Sequence, residues 1–245
     1  MSFLLSAALL AAFVAEPEPN ANETELSLNL SLVSEYRYRG ISQSRLKPAI
    51  QGGADFTNKA NGLYAGAWSS TIRWTKDAGG GGNSELDLYG GKRGNLSAGL
   101  TYDVGALSYV YAGNGLAKVA GSANANTTEV YGQLGYGTVA LKYSQAVTNL
   151  FGFADSRGSS YLDLSANPEL GSGWSLNLHA GHQRVAHNGA ASYADWKVGV
   201  TKDLSGPTLS LAWIDTNASR AAYTSVAGGK FLGDGRLVLN LTKTF

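Results

Sequence analysis

Charged side chains recur in this chain at every second position beside apolar ones: Glu35, Arg37 and Arg39 in one stretch, Glu85 and Asp87 in another, Asp195 and Lys197 in a third. On a β-strand such spacing puts all of a segment's charges on one face. That face must be wet, or its charges must pair. Read along the whole chain, the same face collects the acids Glu35, Asp55, Glu85, Asp87, Asp103, Glu129, Asp163 and Asp195 and the bases Arg37, Arg39, Arg73, Lys142, Lys197 and Arg236. Around a water-filled lumen these groups would set ion selectivity, with Arg37 and Arg39 forming a local anion site. Paired across strands, they would instead brace a wall.

Other chemistries fit less well. His179 shares its face with Asp163 on the preceding strand, so a serine hydrolase built into the wall is conceivable, but the sequence does not bring nucleophile, base and orienting group together. His179 and His182 are three apart on a strand and point to opposite faces, which disfavours a metal site, and His187 follows in a loop. The run Gly79 to Gly82 lacks the Lys-Ser/Thr of a phosphate loop. Around Tyr36 and Tyr38 the basic and aromatic residues alternate between faces, which spoils a nucleic-acid platform. The chain has no cysteine, hence neither disulfides nor thiolate metal sites, and a net charge of +1. No cofactor, metal or nucleic-acid partner is expected.

What positions these residues is a series of long strands. From 26 to 38 the even positions read Leu26, Leu28, Leu30, Leu32, Ser34, Tyr36, Tyr38 and the odd ones are polar or charged, apart from Val33. This period of two predicts a strand of about thirteen residues, long enough to cross a bilayer at a tilt. The final stretch alternates in the same way, with Leu237, Leu239, Leu241 and Phe245 on one face, so that last and first strands can close a barrel and leave no edge in lipid. Between them lie further alternating segments, making about twelve strands in an antiparallel up-and-down barrel. Pro48, Pro168 and Pro207 fall at strand starts or turns. Tight turns alternate with long loops at 40–47, 77–83, 112–127, 149–158, 186–192 and 217–234, as short periplasmic turns alternate with extracellular loops. Phe56, Tyr136, Trp174 and Phe245 are expected at one membrane interface, and Tyr36, Tyr38, Trp74 and Trp213 at the other.

The N-terminus carries an apolar run at 3–14, followed by Glu16, Pro17, Glu18 and Pro19. It is too short for a membrane helix and reads as a secretory signal, placing signal and linker in 1–24 and a single barrel domain in 25–245. Alternation alone does not say which face is inside. About twelve strands with leucine inward would enclose a large dry void, whereas soluble barrels of apolar interior usually have about eight strands. Lipid outside and water inside is the consistent reading.

The blocks SEYRYRGISQS (34–44), KPAIQGGADF (47–56), GLYAGAWSS (62–70), ELDLYGGKRG (85–94), TEVYGQLGYG (128–137) and the closing LTKTF (241–245) resemble the TorF-like family of outer-membrane porins over nearly the whole mature chain. That resemblance implies an integral barrel of a Gram-negative outer membrane and supplies no catalytic or ligand residues. The terminal Phe245 is similar to the signal read by the barrel-assembly machinery, although Lys243 stands where many such signals are apolar. The function expected is passive diffusion of small hydrophilic solutes or ions, with outer-membrane lipid as the surrounding partner and no enzymatic activity. Two alternatives remain open at this point, a hydrolase in the barrel wall and a closed structural or adhesive barrel.

Overall fold

The computed structural model describes residues 24–245, so the expected signal segment lies outside the described residues. The strands are β1 (Thr24–Val33), β2 (Arg37–Tyr38), β3 (Ile41–Ser42), β4 (Ala49–Asn58), β5 (Leu63–Thr71), β6 (Ser84–Ser97), β7 (Leu100–Tyr111), β8 (Thr127–Tyr136), β9 (Val139–Ala146), β10 (Ser160–Ala166), β11 (Glu169–Gly171), β12 (Trp174–Arg184), β13 (Tyr193–Asp203), β14 (Pro207–Thr216) and β15 (Arg236–Thr244). Single helical turns, α1 (Trp74–Asp77) and α2 (Arg220–Tyr223), sit in two of the long loops.

The short β2 and β3 pair only with each other, and β11 only extends a turn beside β12; the remaining strands form a closed antiparallel barrel of twelve. Closure is made by β1 against β15, with Leu30 opposite Lys243 and Leu32 opposite Leu241, while the other wall strands pair with their neighbours in sequence, β10 with β12 among them. The backbone of Phe245 adds a further rung, its N–H donating to Leu28 O at 2.9 Å. Every wall strand therefore has two neighbours, which is what a sheet in hydrocarbon requires.

The side chains obey the pleat. Leu26, Leu28, Leu30 and Leu32 are all exposed on the outer surface of β1, as are Leu237, Leu239 and Leu241 on β15, and Leu162 and Leu164 on β10. Facing the other way, Glu85 and Asp87 on β6, Glu129 on β8 and Asp195 on β13 are 1%, 0%, 1% and 1% exposed. A wall that is apolar outside and charged inside is the pattern of a barrel in lipid, and the inverse of a soluble one.

β5 departs from the expected orientation. The inward parity expected of Arg73 would turn Tyr64, Trp68 and Ile72 to the lipid; all three are buried inside, while Leu63, Ala65 and Ala67 face out. Both faces of this strand are apolar, so periodicity alone had no charge to orient it, and the large rings go where there is an interior to fill.

Tight turns and the ends of β1 and β15 share one end of the barrel. The long loops share the other, in the alternation expected, and there they fold over and into the lumen. Phe56, Tyr136, Trp174, Trp213 and Phe245 are exposed on the outer surface, as interfacial aromatics would be. Tyr36, Tyr38 and Trp74 are not part of any outer belt. Tyr36 packs edge-on against Trp68 at 5.5 Å, Tyr38 against Tyr109 at 5.4 Å and Trp74 against Tyr111 at 4.9 Å, all on the inside.

Candidate functional site in the lumen

The expected thirteen-residue first strand is in fact ten residues long. After Val33 the chain leaves the wall and returns to it only at Ala49, and the intervening segment is a hairpin laid across the lumen. Its arms are β2 and β3, and its tip is Arg39-Gly40, both with positive φ (47° and 77°). Two successive residues of this kind make the tight turn whose twist matches paired strands. Glycine is required at 40 for a second reason: a Cβ there would stand 2.8 Å from Asp195 Cβ and also strike Thr216 Cγ2, because the tip is pressed against β13 and β14.

The hairpin is fastened along its length. Gln43 N–H donates to Tyr36 O at 2.8 Å, and Ser42 N–H to Leu232 O at 2.9 Å, while Gln43 O accepts from Arg73 N–H at 2.9 Å. Arg45 forms an ion pair with Asp77 of α1, its Nε donating to Oδ2 at 2.5 Å. The three charges expected at the start of this segment are therefore lumenal, but they sit in a strap across the lumen, not in its wall.

Arg39 reaches Glu129 on β8 with a two-pronged contact, Nη1 to Oε1 at 2.9 Å and Nη2 to Oε2 at 2.7 Å, and also donates to Gln183 Oε1 on β12 at 2.8 Å. Its guanidinium lies over the Tyr161 ring, 4.2 Å from the centroid. Arg37 donates to Glu35 Oε1 and to Gly40 O, each at 2.8 Å, which ties the arm of the hairpin to its own tip. Paired and buried as they are, Arg37 and Arg39 neutralise local acids.

A second charge cluster occupies the wall beside the tip. His179 Nδ1 lies 3.2 Å from Asp163 Oδ1, and its Nε2 lies 2.7 Å from Asp195 Oδ2. Tyr161 Oη donates to Asp195 Oδ1 at 2.8 Å. Lys197 pairs in register with His179, and Lys142 with Asp163, so a lysine stands on the neighbouring strand beside the imidazole and another beside one of its acids. Lys142 Nζ also stands 3.8 Å from the Tyr131 ring centroid. With a carboxylate at each ring nitrogen, His179 is placed as a bridging group and not as the base of a serine nucleophile. His182 points outward from the same strand and His187 is exposed in a loop. Among the described residues no group of three or more His, Cys, Asp or Glu could hold a metal ion.

The other expected site residues divide. Asp103 accepts from Tyr64 Oη at 2.6 Å, Asp55 accepts from Tyr89 Oη at 2.5 Å, and Glu85 accepts from Tyr36 Oη at 3.2 Å. Asp87 shares the inward face with Glu85 two residues away. Arg73 is not on a wall strand: β5 ends at Thr71, and Arg73 is exposed just before α1. Arg236 has the inward parity on β15 but is exposed at the rim, opposite Ile214.

Two features had not been read from the sequence. Inward tyrosines lie flat over glycines of the neighbouring strand: Tyr64 faces Gly91, Tyr89 faces Gly66 and Tyr131 faces Gly105 in register. A Cβ on Gly91 or Gly105 would come within 2.6 Å of the tyrosine oxygen, and one on Gly66 within 2.5 Å of the Tyr89 ring. The signal was present as glycines on otherwise strand-like stretches, which often mark a close approach. The opposite side of the lumen, from β12 round to β1, carries hydroxyls and amides instead. There Thr201 bonds Asn177 Oδ1 at 2.7 Å and Ser210 Oγ at 2.8 Å, and Ser31 bonds Thr242 at 2.8 Å. The lumen thus has a tyrosine side and a hydroxyl-amide side, with the charge clusters and the hairpin tip between them.

A family model described as a bacterial protein of unknown function (Gcw_chp) matches residues 17–245. No curated protein matches the chain. Among solved structures, a NanC porin superposes with a TM-score of 0.56 at 10% identity, covering 89% of this chain and 99% of that one. A membrane protein solved in a study of in-meso crystallisation superposes with a TM-score of 0.52 at 10% identity, covering 90% and 83% of the two chains. At these identities the likeness is one of fold, and the fold is that of porins.

Proposed function

The chain belongs to the Gcw_chp family of bacterial proteins of unknown function, and we propose that it is an integral outer-membrane channel through which small hydrophilic solutes or ions diffuse passively. The observation that carries this reading is the wall itself, an outer surface dominated by leucines and other apolar side chains around an interior of charged, hydroxyl and amide side chains. A barrel meant only to fill space has no use for buried ions, each of which costs several kcal/mol to desolvate before pairing. The porin fold of its structural neighbours and the resemblance to TorF-like porins point the same way.

In this reading the lipid of the outer membrane contacts the leucine belt, and Phe245, exposed at the last strand, is what the assembly machinery recognises. The hairpin between β1 and β4 narrows the path, and the lumenal ions set which solutes pass it. The mature barrel, refolded in detergent and added to a planar bilayer under a salt gradient, gives discrete conductance steps and a reversal potential that moves on replacing both Arg37 and Arg39 by Ala. The hairpin's firm anchoring also favours a second reading, a barrel closed at rest. A silent bilayer from a heat-modifiable, folded barrel selects that one.

A further inference from the structure

Above the hairpin, at the long-loop end, lies a cavity of about 380 Å³ whose floor is Tyr38, Arg39 and Ile41. That volume is at the small end of the range of ligand pockets, roughly 300–1,000 Å³. Exposed Gly121, Ala154, Thr224 and Val226 belong to its lining, so it reaches the protein surface among the long loops.

Its walls are of two kinds. Rings surround it: Trp74, Tyr111, Phe151, Tyr193 and Tyr223 come from five different segments and are fixed by edge-on packing, Trp74 to Tyr111 at 4.9 Å and Tyr193 to Tyr223 at 5.1 Å. Between the rings are carboxamides held by their nitrogens, Asn188 through both of its N–H groups and Gln43 through one. Gln43 Nε2 donates to Ile41 O at 3.0 Å, and Asn188 Nδ2 donates to Ala154 O and Ala186 O at 2.9 and 3.0 Å. Each amide is held so that its oxygen remains an acceptor, and the hydroxyl of Ser122 lies in the same lining. The charged groups of the lining are internally compensated, Arg39 by Glu129 and Asp77 by Arg45. The cavity therefore offers ring faces, fixed acceptors and hydroxyls without net charge.

From this we infer that the cavity is a binding site for a neutral saccharide of one or two rings. A pyranose presents apolar C–H faces that suit aromatic rings, and hydroxyls around its edge that donate to carboxamide oxygens. An ionic solute would find no unpaired counter-charge, and a purely apolar one would leave the two acceptors desolvated and unmatched. Fixed walls lower the entropy lost on binding. The inference adds to the channel reading a saturable site at the outer mouth, but the binding itself does not depend on conduction.

The test titrates the refolded full-length mature barrel with maltose and, separately, with glucuronate, reading tryptophan fluorescence and binding heat, with conductance followed in parallel. Saturable binding of maltose, at least tenfold tighter than glucuronate and weakened about tenfold in Tyr223→Ala, is expected. Asn188→Asp, which keeps the shape and adds a charge, should also weaken it. Tighter binding of glucuronate, or no saturation by any sugar in barrels that keep their heat-modifiable mobility, would overturn the inference. Binding without conductance would support this site and contradict the channel; conductance without binding would do the reverse.

Discussion

Arg39 and Glu129 are 90 positions apart in the chain and meet across the lumen through two parallel hydrogen bonds, with the arginine at the tip of a hairpin and the acid on the wall. Both side chains are almost fully buried, 3% and 2% exposed. Removing one member of such a pair strands the other as an uncompensated buried charge, at a cost of about 3–5 kcal/mol. Arg39→Ala is therefore expected to lower the urea midpoint strongly. The double variant Arg39→Met with Glu129→Gln recovers a large part of the loss, and this double-mutant coupling is the quantity to measure.

The outer face of β15 gives a prediction about lipid. Leu239 lies mid-strand, opposite Leu211, and both are exposed on the outside. Leu239→Arg is expected to cost about 2–4 kcal/mol when folding is measured in vesicles, the range for a cation near the bilayer midplane. Asn240→Arg, one step along and facing in, should cost much less and shift ion preference instead.

The tyrosine-glycine pairs give a packing prediction. A methyl on Gly91 would meet the Tyr64 hydroxyl at 2.6 Å and also the carbonyl of Val104. Gly91→Ala should destabilise the barrel by about 1–3 kcal/mol, the usual cost of overpacking. Gly132, where a Cβ would have only a Val104 methyl at 4.0 Å, should accept Ala with little change; equal losses at both sites would refute the pairing.

For assembly, deleting Phe245 removes the exposed terminal ring and the N–H that donates to Leu28 O. The expected result is a sharp fall in the heat-modifiable form recovered from outer membranes, with refolding in detergent much less affected. A fall of the same size in both would place the role of Phe245 in stability alone.

How much of this was legible in the residues can be argued strand by strand. Where leucines alternated with acids, as along β6 and β10, or with serine and asparagine, as along β1, the pleat assigned inside and outside correctly, because only one face tolerates polar groups in lipid. Where both faces were apolar, as on β5, there was no such asymmetry, and Tyr64 and Trp68 went inside against expectation. The hairpin was hidden for a related reason. Tyr36, Arg37, Tyr38 and Arg39 alternate as a wall strand would, and a period of two cannot distinguish a strand in the wall from one crossing the lumen. The informative signal was the dipeptide Arg39-Gly40, a tight-turn position read there as the start of a loop. The nearness of His179 to Asp163 was legible because β10 and β12 are consecutive wall strands; that Asp195 on β13 completes the cluster depended on the register between β12 and β13, which alternation alone does not give.

The decisive experiment is conductance before and after removal of the hairpin. Residues 35–47 are replaced by a short Asn-Gly turn joining β1 to β4, and the refolded barrel is compared with the full chain in a planar bilayer. If a hairpin held by Arg39 and Glu129 narrows a water-filled lumen, the shortened barrel shows discrete steps several times larger than those of the full chain and a loss of ion preference. A folded, hairpin-free barrel that stays silent would contradict the channel reading outright.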